Sequence, residues 1–508
     1  MIKRLLILLI LLVAVPCFGA NIFINLGVTD GAEDGTSAHP YDAISDISGS
    51  ISASNEYYFK CGSTETLSSS WAITTSGNSE EDRITFGAYY GTDTIEPGIY
   101  GTLCSNGDPK PIITESGNDN AIINIDADYI EFNSIQITEG STSIYADGSY
   151  IKFIYCVVGW GEFGIRFGLA SSTQHPYVGY SYLYTDLPGE EVGGNTDGII
   201  AESYTDYALF EYNVLSGWDH AAIALYEAGH SYSEVRYNKI LDPVDITSEC
   251  VIADGNNQYI HHNYCDDAGV IQVEGSDHVI MYNVINNTEE NKTDHSAISL
   301  QNITKSIDSV LIANNTVYFD GTQGTAMRGI RMRSATAYTI ANNMFYNNIV
   351  LNSNTSSFNI VDTNGYITID TNIWRNNLAY GFIPAYIAFI NDSDDGYSSV
   401  YYTAATNFNG LGFVYNTLDD DPGLSDEDNG DFTIASAESV AYRAGYTITG
   451  LTGTAWNQPF CPGTDFSTNP MTVVLCDAVG EGTWPIGAYS LVGATYPIQG
   501  AAGNFKLN

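Results

Sequence analysis

Between residues 130 and 374 the apolar and polar positions repeat in one short unit. The clearest copies read FEYNVL, VRYNKI, IHHNYC, IMYNVI, IANNTV and IANNMF. Each has an apolar residue, two variable positions, an Asn, one further position and another apolar residue. The asparagines are Asn213, Asn238, Asn263, Asn283, Asn315 and Asn343, spaced from 20 residues (Asn263 to Asn283) to 32 (Asn283 to Asn315). That is a repeat with variable loops. It extends upstream to Asn133 (IEFNSI), Cys156 (FIYCVV) and Ser181 (VGYSYL), and downstream to Asn372 (IDTNIW). The total is about ten copies.

The alternation suits a strand with one face buried. The Asn suits a turn, where it tolerates unusual dihedrals and bonds its own backbone. Stacking the copies sets Asn over Asn at a strand spacing of about 4.8 Å, which predicts a structural amide ladder. A coil of about 25 residues leaves room for two more short strands. The expectation is an all-β chain: a right-handed parallel β-helix solenoid of about ten or more coils, three strands per coil. Residues 126–380 form its main body, and 381–490 supply C-terminal coils and a closing segment.

The ends read differently. Lys3 and Arg4 precede LLILLILLVAV and the small residues Gly19 and Ala20. A charged start, a short apolar run and a small-residue exit predict a signal peptide over residues 1–20, cleaved after Gly19 or Ala20. The run is short for a bilayer, so a secreted or extracellular protein is expected, with no membrane insertion after cleavage. Residues 21–125 read as a cap and first coils. DGTSAHPYDAISDI is a turn followed by a short helical run, then come the alternating segments YYFKCG, RITFGAYYG and PIIT. A solenoid needs such a cover over its first coil. Residues 491–508 read as a flexible tail.

The cap and the far end carry a resemblance. Asp34-Gly35-Thr36-Ser37, Pro40, Ile44, Tyr58-Phe59-Lys60-Cys61-Gly62, Ile84-Thr85-Phe86 and Lys110-Pro111-Ile112-Ile113 resemble the start of secreted pectate-lyase-like β-helix proteins. Asp421-Pro422-Gly423, Gly430-Asp431-Phe432-Thr433-Ile434, Ala444-Gly445 and Ile486-Gly487-Ala488-Tyr489 resemble their closing segment. The resemblance implies the fold. It leaves activity open, because the fold hosts lyases, hydrolases, epimerases, adhesins and phage spikes.

Charge narrows the partners. The net charge is -43, with 17 Lys and Arg against 60 Asp and Glu. Nucleic acid and anionic membranes are excluded, since both need basic patches, and an anionic polymer needs bridging cations. Seven of the eight Cys lie beyond the signal segment. Candidate pairs are Cys461 with Cys476, Cys61 with Cys104 and Cys250 with Cys265. Spacing leaves connectivity open, and the odd count leaves at least one thiol free. No zinc spacing is present.

Candidate chemistry sits after each Asn unit, at the start of the next apolar strand. There the coils present Asp197 (NTDGII), Asp219 and His220 (WDHAAIAL), Glu249 (SECVIA), Asp266 and Asp267 (DDAGVIQV), Asp294 and His295 (DHSAISL) and Arg328 (MRGIRMR). In register these form one column. Two carboxylates one or two coils apart match the separations used in glycoside hydrolysis, with His220 or His295 assisting as acid or base. Asn195-Thr196-Asp197-Gly198 resembles the first polygalacturonase motif. The next acidic pair of that family is matched only by Trp218-Asp219-His220, and its later Gly-His-Gly and Arg-Ile-Lys motifs have no counterpart. A β-elimination lyase instead needs a base and a partner for the uronate carboxylate. Arg328, Arg331 and Arg333 are the dense basic cluster, and Arg331 and Arg333 face outward together if Ile330 and Met332 face the core. Trp218 and Trp374 are candidate sugar platforms.

Acidic loops at DSDDG (Asp392, Asp394) and DEDNGD (Asp426, Asp428) suit calcium, although neither has EF-hand spacing. The expectation is a carbohydrate-active enzyme, a hydrolase or lyase working on an extracellular polysaccharide along one side of the coil. The competing class is a glycan-binding adhesin or structural rod.

Overall fold

The computed structural model describes residues 19–445 and 487–488, apart from 29–31, 117–120, 186–195, 227–231, 242–248, 268–269, 288–295, 321–327, 335, 354, 363–364, 382–385, 393–396, 428–430, 437–438 and 442–444. Residues 1–18 of the expected signal peptide, Asp294, His295, Asp394, Asp428, Cys461, Cys476 and residues 491–508 lie outside the described residues.

The chain is a right-handed parallel β-helix. Fourteen strands follow one another in a single parallel path from Asn21–Ile24 to Val414–Tyr415. We call this the A sheet. Each coil continues through a strand of a B sheet, such as Val214–Ser216, and a strand of a C sheet, such as Ala221–Leu225. Two long strands, Gln136–Ala146 and Val157–Phe167, run through B and C without a break. The core is filled by vertical columns. On the A sheet Phe86, Phe132 and Phe153 stack at 5.1 and 5.2 Å between ring centres, and Phe345 lies on Trp374 at 3.9 Å. Such burial of apolar area on every coil is the main stabilising term.

The first coil is covered by the short helix Ile44–Ser48, which buries Ile44 and Ile47 in the core. Its first amide donates to Glu65 Oε2 at 2.8 Å. At the other end Phe432, Ile434, Ala441 and Ala488 pack on the outer faces of the last coils, against Met281, Tyr318, Tyr346 and Leu351. The closing segment thus lies along the side of the solenoid.

The amide ladder runs Asn213, Asn238, Asn263, Asn283, Asn315, Asn348, Asn377. Each Oδ1 accepts the backbone N–H and the side-chain amide of the preceding member at 2.9–3.1 Å. Ser181 and Cys156 continue it upward. Three asparagines assigned from the sequence lie outside this ladder. Asn343 and Asn372 belong to a second ladder at the entrance to the A sheet, where Asn343 Oδ1 accepts from Val310 N and Asn372 Oδ1 from Asn343 N. IANNMF looks like IANNTV, but Leu311 pairs with Met344, so Asn343 is level with Val310. Asn133 also falls outside the ladder; it pairs with Ile154 at a strand end.

The strained position is the residue before each ladder side chain. Tyr155, Tyr180, Tyr212, Tyr237, His262, Tyr282, Asn314, Asn347 and Asn376 all have φ between 54° and 57°. This left-handed backbone costs a non-glycine residue roughly 1–2 kcal/mol. Ring stacking offsets part of it: Tyr180–Tyr212, Tyr212–Tyr237 and His262–Tyr282 are each 4.9 Å apart.

Cys61–Cys104 and Cys250–Cys265 are disulfides, and Cys156 is free and buried.

Candidate functional site on the outer face of the C sheet

Each C strand begins with a residue facing outward, followed by two facing inward. Ala222–Ile223, Cys250–Val251 and Ala297–Ile298 are such inward pairs in the core. The first of each pair is small because it approaches the opposite wall. A Cβ on Gly198 meets Ala222 O at 2.5 Å and Leu215 at 2.9 Å. This double step fixes which side chains reach the outer face. The first outward column runs Asp197, Ala221, Glu249, then Ser296, Arg328 and Ser356. The second runs Ile200, Ala224, Ile252, Gln272, Ser299, Arg331 and Asn359.

Asp197 and His220 meet here. His220 Nδ1 lies 2.9 Å from Asp197 Oδ1, which also accepts the Ala221 amide at 2.8 Å. The Tyr226 hydroxyl stands 3.2 Å from Asp197 Oδ2 and 3.0 Å from His220 Nδ1. Asp197 is 3% exposed, so it is a buried anchor. The His220 side chain is 33% exposed, and no described residue bonds its Nε2. The hydrogen bond to Asp197 raises the His220 pKa above 6.5 against the opposing effect of burial, helped by the charges of Asp197, Glu249 and Asp219. Burial, then Asp197, pushes the Tyr226 phenol far up, so it stays protonated. The arrangement holds one imidazole in a fixed tautomer with its outer nitrogen presented, the geometry required of an acid or base.

Asp219 does different work. Its Oδ1 accepts the Thr196 amide at 3.0 Å, and its own amide donates to Thr196 Oγ1 at 2.7 Å. This reciprocal pair clamps two coils and leaves Asp219 only 8% exposed. Asp267 stands outside the column. It occupies the turn after the B strand Tyr264–Asp266, at φ 49°, and donates its amide to Asn286 O. The column is therefore discontinuous in acid, because loop lengths differ between coils.

The arginines do share the outer face. Ile330 and Met332 are in the core, and Arg328–Arg333 pairs with Ser296–Gln301 on one side and Ser356–Asp362 on the other. Arg331 is 7% exposed. Ser296, Ser299 and Asn359 beside it are likewise buried. The arginine strand is five strands beyond Asp197, roughly 24 Å at 4.8 Å per step. Arg328, Arg331 and Arg333 therefore cannot touch the same atom as His220, but both can meet one extended polymer. Between them Lys305 Nζ pairs with Asp254 Oδ1 at 2.5 Å.

Trp218 is fully buried in the core, as is Trp374. Their rings point inward, so neither offers a face to a sugar. The stacked tyrosines also spend their faces on one another. Tyr226 escaped sequence reading because it follows the apolar run and looks like an ordinary strand-end tyrosine. Glu249 was legible as a column member; its amide donates to His220 O at 2.6 Å.

As to metal, Asp426 lies in the antiparallel pair of Leu424–Asp426 with Asp431–Ile434, and only the backbone of Asp392 is described. Among the described residues, Glu33, Asp42 and Asp46 bring ligand atoms within 4.8 Å of one another on the N-terminal cap. Cys61, Glu96 and Cys104 do so too, but both thiols are spent in a disulfide.

No family model and no curated protein matches the chain. Among solved structures it is similar to pectate lyase Pel9A, at 15% identity over 85% of this chain and 94% of that one, TM-score 0.44. It is also similar to a PL6 family polysaccharide lyase from Pseudopedobacter saltans, at 12% identity over 84% of this chain and 100% of that one, TM-score 0.44. An alginate lyase from Paenibacillus sp. str. FPU-7 aligns at 13% identity over 63% of this chain and 94% of that one, TM-score 0.40. At these values the likeness is one of coil architecture. Among the described residues no helix is long and apolar enough to cross a membrane.

Proposed function

We propose that the chain is an exported carbohydrate-active enzyme that cleaves or modifies a polysaccharide laid along the outer face of the C sheet. The observation that carries this is the Asp197–His220–Tyr226 triangle with a presented imidazole nitrogen. His220 is the acid or base. Asp197 and Tyr226 are positioning residues that fix its tautomer and charge. Glu249, on the same face, is the carboxylate nearest in the column for the opposite proton transfer. Arg328 and Arg333, with Arg331 packed between them, hold the polymer further along, where an anionic sugar finds its counter-charge.

Bond type divides the reading. Asp197 spends both oxygens on protein partners, which favours imidazole chemistry over two exposed carboxylates. The mature protein is incubated with neutral and uronic-acid polysaccharides, with calcium and with chelator. Reducing ends and unsaturated products are both followed. Unsaturated product supports elimination with His220 as base; reducing ends without unsaturation support hydrolysis. Loss of turnover in chelator supports a calcium requirement. No product on any glycan contradicts the enzyme reading.

One observation favours the alternative of a glycan-binding rod. Asp197 and Asp219 both accept backbone amides from a neighbouring coil, as purely structural aspartates do. A rod retains glycan binding in His220→Ala and yields no product with either protein.

A further inference from the structure

A cavity lies on the same flank, nearer the N-terminus. Its cavity measures about 350 Å³ and is lined by Asn124, Asp126, Tyr145, Asp147, Leu169 and Ser171, among others. The floor comes from two adjacent strands, in which Asn124 pairs with Tyr145 and Ile125 with Ala146. The wall is the turn after Val157–Phe167, which begins at Gly168 with φ 69°. A Cβ on Gly168 meets Thr205 Oγ1 at 2.3 Å, so glycine is required to throw the chain outward here. Two hydrogen bonds fix the wall: Ala170 N donates to Asp147 Oδ1 at 2.9 Å, and Ser171 Oγ donates to Asp147 O at 2.5 Å. The site is thus built before any ligand arrives.

Its chemistry is selective. Tyr145 and the exposed Leu169 supply apolar surface for the C–H face of a sugar ring. Asp126, Asp147 and Asn124 supply acceptors for hydroxyl or ammonium groups. No Lys or Arg is among the described lining residues. A uronate or sulfate brought here faces two carboxylates, and Arg166, the cation beside Tyr145 on the next strand, is already paired with Glu202, within a chain of net charge -43. The volume is at the small end of ligand sites and fits one or two sugar units.

We propose that this cavity is a binding site for a non-anionic hexose unit of a glycan chain. Tyr145 and Ile200 are two strands apart through Arg166. The cavity is therefore roughly 10 Å along the coil from the Asp197 strand. One glycan can span both. This deepens the proposed function, and it predicts that the recognised polymer carries neutral or amino sugars at this end, whatever the arginine strand holds at the other.

The test is equilibrium binding by calorimetry with three probes: cellotetraose, a glucosamine tetramer and tetragalacturonate. The variants are Asp126→Ala and Leu169→Trp. Both positions are exposed at the rim, and thermal unfolding checks that the fold is kept. The expected result is binding of a non-anionic tetramer that weakens about tenfold in Asp126→Ala, as one charge-assisted bond is lost, and disappears when Trp fills the cavity. Equilibrium binding is scored whether or not any bond is cleaved, which separates this site from the catalytic reading. No binding of either non-anionic probe, or binding that both variants leave intact, or tetragalacturonate binding that Leu169→Trp removes, would overturn the proposal.

Discussion

The ladder side chain and the left-handed residue before it are one device at each corner. The left-handed residue, a tyrosine at five of the corners, turns the chain, and the ladder side chain satisfies the amides that the turn exposes. Asn263 donates to Val235 O and accepts the Asn238 amide. Asn263→Ala leaves both buried groups without a partner, so urea unfolding should show a loss on the order of 3 kcal/mol. Asn263→Ser should lose about half, because at Ser181 a hydroxyl accepts the Cys156 amide and donates to Gly179 O in the same role. The sequence showed the asparagines but not which residue carried the strain, since Tyr at positive φ has no signature of its own. At the catalytic candidate, His220 has its pKa raised chiefly by the Asp197 bond. If it acts as a base, turnover rises with pH through a midpoint above 6.5. In Asp197→Asn that midpoint moves down, as a pH–rate profile would report.

At the scale of strands, the double inward step decides what the outer face displays. Gly329 is the inward small residue of the arginine strand, where a Cβ would meet Val350 at 2.4 Å and Ser357 O at 2.5 Å. Gly329→Val should cost roughly 1–3 kcal/mol by overpacking, read as a lower unfolding midpoint, and should disturb arginine-dependent binding as well. Apolar alternation made the strands legible and placed Ile330 and Met332 inside. It could not reveal Trp218 as core, because a tryptophan beside Asp-His in a loop reads equally as a surface platform. Nor could it hold the acidic column together. Coils of 20 to 33 residues shift Asp267 into a turn while leaving Glu249 on the face. Column arguments survive where loop lengths match and fail where they change.

Across the whole molecule, charge and buried histidines set the response to conditions. With a net charge of -43, self-repulsion should ease as salt screens it. The unfolding temperature should rise from low ionic strength to about 0.15 M. His278 is fully buried, with Nε2 against Glu274 O at 2.8 Å. Burial lowers its pKa to about 4, and burial also lowers that of His261. A depressed histidine binds its proton more readily when unfolded. The stability each contributes is present above pH 6.5 and is lost as pH falls from 6.5 toward 4. The stability advantage of the native chain over His278→Gln should therefore shrink across that window in pH-dependent urea unfolding.

The proposed seat of chemistry is where Asp197, Tyr226 and His220 meet on the outer face of the C sheet. The most direct measurement is the turnover of the responsive polysaccharide by His220→Ala beside the native protein, with thermal unfolding recorded for both. The expected result is a loss of at least about a hundredfold at an unchanged unfolding temperature. Near-native turnover in a folded His220→Ala protein would contradict it and move the search for the catalytic group elsewhere on the coil.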